Sequence, residues 1–134
     1  LKMHQALNNK IIPILCIGET IEQRESNNTF SVLESQLKKG LNNINGECLI
    51  AYEPVWAIGT GLSATAHIVN ETHGQIRSIL STMGWNNDKC PLLYGGSVSS
   101  DNAKRLSSIE NVDGFLIGGA SLDVEKFYKI YLEL

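Results

Sequence analysis

Cysteine is scarce and unpatterned in this chain. The three residues, Cys16, Cys48 and Cys90, make an odd number and show no CxxC or Cys/His ligand spacing. That argues against a disulfide framework or a metal site and leads us to expect buried, reduced thiols in a cytoplasmic protein. An excess of charge is lacking too: a net charge of −3 offers no electrostatic footprint for nucleic acid or an acidic membrane surface. Apolar runs are strand-sized, far short of the roughly 18 residues a membrane span needs. No linker, low-complexity tract or signal-peptide pattern stands out. The chain opens on Leu1-Lys2-Met3-His4 without an initiator Met, so its start is expected to be processed, truncated or incomplete. What is present is 43% hydrophobic and 19% charged over 134 residues, enough for one domain with a real core.

Residues 1–9 read as the tail of a helix, with Met3, Ala6 and Leu7 on one side. Four apolar runs then alternate with helical patterns. The runs are Ile11–Ile17, Cys48–Tyr52, Leu92–Tyr94 and Gly114–Ile117. After the first comes a polar segment, then a helix capped by Asn28 and running to about Asn42, with Phe30, Leu33, Leu37 and Leu41 on one face. Thr65 can cap a helix from Ala66 to about Met83, facing inward with Ile68, Thr72, Ile76, Ile79 and Leu80. A short helix spans Asp101 to about Ser107. A last one starts near Asp123 with Phe127, Ile130, Tyr131 and Leu134 on one face. Strand-then-helix units in succession imply an α/β fold with a parallel sheet. The strands alone fit a doubly wound sheet or half of a (β/α)₈ barrel. The polar signals decide: Glu19, Glu53, Gly95–Ser97 and Gly118-Gly119 all fall at strand C-terminal ends, where barrel active sites are built. A whole barrel needs about 250 residues, so this chain accounts for about four of the eight βα units.

Residues 51–61, Ala-Tyr-Glu-Pro-Val-Trp-Ala-Ile-Gly-Thr-Gly, carry the chemistry. Pro54 holds the preceding Glu53 extended at a strand end, a position suited to general acid–base work. The loop from Pro54 to Thr60 is too apolar for permanent display, with Val55, Trp56, Ala57 and Ile58 in a row. A flap that closes over a ligand would bury these side chains, and cover would raise the Glu53 pKa toward that of a working base. Gly59, Ser97, Gly118 and Gly119 follow separate strands of one sheet, so their N–H groups can converge on an anion. The N-terminus of the helix near Asp123 could add to that cradle. One Gly-Gly pair is usually just a tight turn; two such turns plus Gly59 read as a phosphate cradle without Lys or Arg. Cys16 is expected to pack behind Glu53 as a small apolar residue. His4, His67 and His73 are expected to be solvated or helix-packing.

Residues 51–61, with Tyr94-Gly95-Gly96-Ser97, residues 114–121 and the strand Pro13–Glu19, closely resemble segments of the triosephosphate isomerase family in order and spacing. The resemblance covers essentially all of residues 1–134 and implies the C-terminal half of that family's TIM barrel. It assigns Glu53 the proton abstraction beside the substrate carbonyl, and Gly59, Ser97, Gly118 and Gly119 the substrate phosphate. Pro54 to Thr60 become a rigid lid with Gly61 near its far hinge, where Leu62-Ser63-Ala64 departs from the family's commoner Lys-bearing form. The lid latch is implied to exchange partners: Trp56 leaves Tyr52 for Glu19, while Tyr94 and Ser97 reach the lid near Ala64 and Gly61. Arg77 is implied to form a structural ion pair with Asp113. No cofactor and no metal are implied.

The resulting expectation is an isomerase of glycolysis and gluconeogenesis that interconverts dihydroxyacetone phosphate and glyceraldehyde 3-phosphate through an enediolate. The family's polarising His, with its Asn and Lys, belongs to the N-terminal half, which none of these motifs matches. The chain is therefore expected to turn over only with that missing half as partner, the complete protein being a homodimer. The alternative is a non-catalytic half-barrel, an assembly partner or weak phosphate binder. Another phosphate-binding barrel enzyme is disfavoured by the lid signature.

Overall fold

The computed structural model describes residues 2–58, 64–86 and 89–134. Its elements run α1 (Lys2–Asn8), β1 (Ile14–Ile17), α2 (Ile21–Glu25), α3 (Thr29–Gly40), β2 (Leu49–Tyr52), a 3₁₀ turn (Val55–Ala57), α4 (Ala66–Thr82), β3 (Leu92–Tyr94), α5 (Ser100–Ser107), β4 (Gly114–Phe115), a 3₁₀ turn (Gly119–Leu122) and α6 (Val124–Tyr131). The strands form one parallel sheet in the order β1-β2-β3-β4, the α/β layout expected of part of a TIM barrel.

Register explains how one strand face became the core. Ile17 pairs with Tyr52 and Tyr52 with Tyr94, while Ile50 pairs with Leu92. Side chains alternate along a strand, so this set points one way. It is buried with Leu33 and Leu37 of α3 and Val69, Ile76, Ile79 and Leu80 of α4. The helices pack in sequence, α3 on α4, α4 on α5 and α5 on α6. Ile14, Cys16, Leu49 and Leu93 stand on the opposite, less covered face.

Several expectations are corrected. The first strand begins at Ile14, not Ile11, because Lys10 turns the chain through a positive φ of 60° and leaves Ile11 and Ile12 exposed. The polar segment contains helix α2, opened by a capping box in which Thr20 accepts from the Gln23 N–H while the Gln23 amide bonds back to the Thr20 N–H. Asn28 occupies the N-cap of α3 but makes no side-chain cap bond. Phe30 is 45% exposed, since α3 meets its neighbours along Leu33 and Leu37 instead. On α4, Val69 and His73 are fully buried while Ile68 is only half-buried. On α6 only Ile130 is buried; Phe127, Tyr131 and Leu134 remain exposed along an apolar groove shared with Phe115 and Ile117.

Candidate active site

Glu53 follows β2 directly, and its N–H donates to the Ile17 carbonyl at 2.7 Å. The next connection is tighter still. A Cβ on Gly18 would stand 1.8 Å from the Glu53 carbonyl oxygen, so only glycine allows the two strand ends to approach. Gln36 of α3 grips Gly18 from both sides, accepting from its N–H and donating to its carbonyl, each at 2.9 Å. The Glu53 side chain then lies across Gly95: a Cβ there would meet its Cγ at 2.6 Å and Oε1 at 3.2 Å. Glu53 is half-buried.

Cys16 is exposed on the open sheet face, not buried as expected, because nothing described covers that face opposite it. Partial enclosure of its thiol, then the hydrogen bond and negative charge of Glu53, push its pKa up to about 11. It is a neutral neighbour of the carboxylate, without thiolate character.

The segment expected to form the lid leaves β2 through Pro54 and the turn Val55–Ala57. Its root is fastened by Glu19, which is fully buried. One oxygen, Oε1, accepts from Arg24 Nη1 at 2.7 Å, Trp56 Nε1 at 3.0 Å and the Tyr52 hydroxyl at 3.1 Å. Arg24 also stands 5.6 Å from the centre of the Trp56 ring, and the Val55 N–H donates to the Glu19 carbonyl at 3.1 Å. Burial, followed by the Glu19 charge, raises the Tyr52 pKa far above the ordinary phenol value. Val55 and Ile58 keep about half their surface exposed. Gly59, Thr60, Gly61, Leu62 and Ser63 lie outside the described residues.

The turns after β3 and β4 meet the start of the lid. Ala57, Ile58, Gly95, Gly96, Ser97, Ile117, Gly118 and Gly119 line a cleft of about 280 Å³. Ser97 Oγ donates to the Ala57 carbonyl at 3.2 Å. The N–H groups of Gly96, Ser97, Gly118 and Gly119 make no backbone hydrogen bond among the described residues. A Cβ at Gly118 or Gly119 would enter open space, so glycine is not demanded there by packing. Among the described residues no Lys or Arg lines this cleft. The Tyr94 hydroxyl stands over Gly96 and faces the Ala64 backbone without completing a hydrogen bond. The expected contribution from the last helix is corrected: Asp123 accepts from the Glu125 and Lys126 N–H groups at 3.0 and 3.1 Å, so a carboxylate already occupies that end.

Arg77 and Asp113 sit at the other ends of the strands. Arg77 Nη2 donates to the Asp113 carboxylate and Nη1 to the Cys90 carbonyl at 2.9 Å. Asp113 also accepts from the Leu92 N–H at 2.5 Å, tying α4 to the starts of β3 and β4. His73 is enclosed by Tyr52 and Tyr94, and its Nδ1 lies 2.9 Å from the Asn111 carbonyl.

Four positioning residues escaped the sequence reading: Gly18, Arg24, Gln36 and Asn102. Asn102 donates to the Ser97 carbonyl at 3.1 Å while accepting from the Ser99 N–H at 2.8 Å, which fixes the Ser97 turn. Only its capping-box spacing after Ser99 could have signalled it. Gln36 meets Gly18 eighteen residues away and Arg24 meets Glu19 five residues back, spacings that mark neither a helix face nor a strand partner. Among the described residues there is no cluster of three or more metal-ligating side chains and no helix long and apolar enough to cross a membrane.

An acid, a hydroxyl and two glycine turns gather at the C-terminal ends of parallel strands, the end at which barrel-type α/β enzymes build their active sites. The family model for triosephosphate isomerase matches residues 1–134. The chain is 46% identical over 135 residues to a triosephosphate isomerase of Fusobacterium nucleatum, covering 96% of this chain and 54% of that protein. It is 47% identical over 135 residues to one of Citrifermentans bemidjiense, with the same coverage. With one of Bdellovibrio bacteriovorus it shares 50% identity over 122 residues, covering 90% of this chain and 50% of that protein. The chain belongs to the triosephosphate isomerase family. It spans about half the length of the curated relatives it matches.

Proposed function

We propose that these 134 residues supply the base, lid and phosphate grip of a triosephosphate isomerase, which interconverts dihydroxyacetone phosphate and glyceraldehyde 3-phosphate. Glu53 removes a proton from the carbon beside the substrate carbonyl and returns it to the neighbouring carbon, passing through an enediolate. The amides of Gly118, Gly119 and Ser97, with Gly59, hold the phosphate. The lid from Pro54 to Gly61 closes over the pair, with Glu19, Tyr52, Tyr94 and Ala64 as its latch, and excludes water. The reaction is a proton shuttle and calls for no cofactor.

One observation carries this reading: the Glu53 side chain lies against Gly95, a wall of the cleft that Gly118 and Gly119 also line. The group that polarises the carbonyl is expected from the family's N-terminal half, and stabilising the developing oxyanion is usually the largest catalytic term. Turnover is therefore a property of the completed barrel, in this reading a cytoplasmic homodimer serving glycolysis and gluconeogenesis.

The test is isotope exchange at the substrate's α-carbon. Exchange should appear when the chain is combined with an N-terminal half from a relative, and Glu53→Gln should abolish it. Efficient exchange by the chain alone, or undiminished exchange by the Glu53→Gln complex, would overturn the assignment.

A further inference from the structure

Cys48 and Cys90 are the buried nucleophilic pair that the proposed mechanism does not use. They sit at the opposite strand ends from Glu53. Ile50 is the register partner of Leu92, and two residues earlier in each segment, just before β2 and β3 begin, stand Cys48 and Cys90. The ladder runs past both, with Cys48 N–H donating to the Lys89 carbonyl at 3.4 Å and Ile50 N–H to the Pro91 carbonyl at 2.9 Å. Their sulfurs are 3.9 Å apart. Neighbouring strands are about 4.8 Å apart, within the roughly 4.4–6.8 Å Cα separation that a disulfide spans, so bridging needs side-chain rotation and little backbone movement.

Two surroundings favour reaction here. A cleft of about 450 Å³ is lined by Glu47 and Lys89, the chain neighbours of the two fully buried cysteines, together with Met83 and Trp85. The Arg77 guanidinium reaches the Cys90 carbonyl. The hydrogen bond with Cys48, more than the Arg77 charge, holds the Cys90 thiol below its ordinary value. Exposed Cys16 has the opposite bias beside Glu53.

The geometry points to Cys48 and Cys90 as a site of reversible intramolecular disulfide formation, driven by a peroxide. The Cys90 thiolate attacks the peroxide, an S–O bond forms as O–O breaks, and hydroxide leaves to be protonated to water. Cys48 sulfur then attacks the sulfenic sulfur, S–S forms as S–O breaks, and the departing hydroxyl takes the Cys48 thiol proton to leave as a second water. Two thiols are oxidised and one hydrogen peroxide is reduced to two waters. A thiol reductant reverses the change.

The experiment treats the chain with hydrogen peroxide under native conditions, blocks remaining thiols, digests with trypsin and maps the linkage by mass. Cleavage places the cysteines in separate peptides, 11–24, 40–77 and 90–104. The expected product is peptide 40–77 joined to 90–104, lighter by two hydrogens and restored by reductant. It should form equally in Cys16→Ser, which leaves the buried pair untouched. In an unfolded chain loop entropy favours the Cys16-to-Cys48 closure by only about 1.5-fold, so linkages to Cys16 would accompany the Cys48–Cys90 bridge in comparable amounts. Cys48 and Cys90 recovered fully as blockable thiols, with only Cys16 oxidised, would overturn the proposal. So would a mixture dominated by linkages to Cys16.

Discussion

Gly95→Ala tests whether the position of the Glu53 carboxylate limits turnover. The added Cβ would fall 2.6 Å from Glu53 Cγ, whereas nonbonded carbons rest at about 3.5–4.0 Å, so the side chain must retreat by about 1 Å. The other side of the clash is the backbone of the β3 turn, pinned by the Gly95 N–H bond to the Tyr52 carbonyl at 2.8 Å. The carboxylate is therefore what gives way. A displacement of about 1 Å at a reacting group costs about 100-fold in rate, near 2.7 kcal/mol of barrier. The amides of Gly118 and Gly119, proposed to hold the phosphate, are untouched, so the loss should fall on kcat with KM changed by less than about twofold. Steady-state isomerase kinetics on the completed barrel would show this, with a thermal melt alongside to exclude unfolding. An unchanged kcat would refute the reasoning, as would a raised KM with kcat intact.

His73 should make the fold acid-sensitive. Burial, partly opposed by its Asn111 hydrogen bond, lowers its pKa from 6.5 to about 4. The folded state resists a proton that the unfolded chain accepts, so the contribution is intact above about pH 6.5 and declines toward pH 4 by about 3 kcal/mol. Urea unfolding across that window should show a shallower pH slope for His73→Gln; parallel curves would exclude the mechanism. Glu19→Ala strands the Trp56 and Tyr52 donors together with Arg24, and should cost about 2–4 kcal/mol of unfolding free energy. A loss below about 0.5 kcal/mol would show the latch root to be redundant. Arg77→Met leaves Asp113 without its cation, but with 39% of that side chain exposed the cost should be discounted to about 2 kcal/mol in the same assay. A large fall in kcat from Arg77→Met, without a loss of stability, would contradict its structural reading.

Local signals were legible and distant ones were not. Pro54 after Glu53, the glycine pairs and the apolar runs are patterns between chain neighbours, and the four parallel strands follow from them. Strand ends were overestimated at Ile11 and Ile117, because apolar character marks burial potential while a ladder also needs a partner strand alongside. Helix α2 was signalled by Thr20 and Gln23, yet its five residues carry no apolar period to support it. Gly18 looked like any strand-end glycine until the Glu53 carbonyl stood against it. Phe30 and the α6 aromatics satisfy helical spacing, but periodicity reports a face, not whether anything lies on that face.

The two ends of the sheet are built by different rules, and that makes the proposals separable. At the strand C-termini, groups remain open among the described residues: the amides of Gly96, Ser97, Gly118 and Gly119 make no backbone hydrogen bond, the last two have room beside them, and Glu53 is half-buried. Such features gain nothing from packing, and in the proposed reading they serve a ligand. At the N-terminal ends, Arg77, Asp113, Cys48 and Cys90 cross-connect α4, β2, β3 and β4 with their polar atoms engaged. From Cys48 to Glu53 is five residues of nearly extended chain, on the order of 16 Å. A bridge between Cys48 and Cys90 can therefore tighten the sheet without moving the carboxylate, whereas a methyl group at Gly95 does the reverse. Turnover and stability should respond to different residues, since in the proposed reading one strand end serves a substrate and the other the fold.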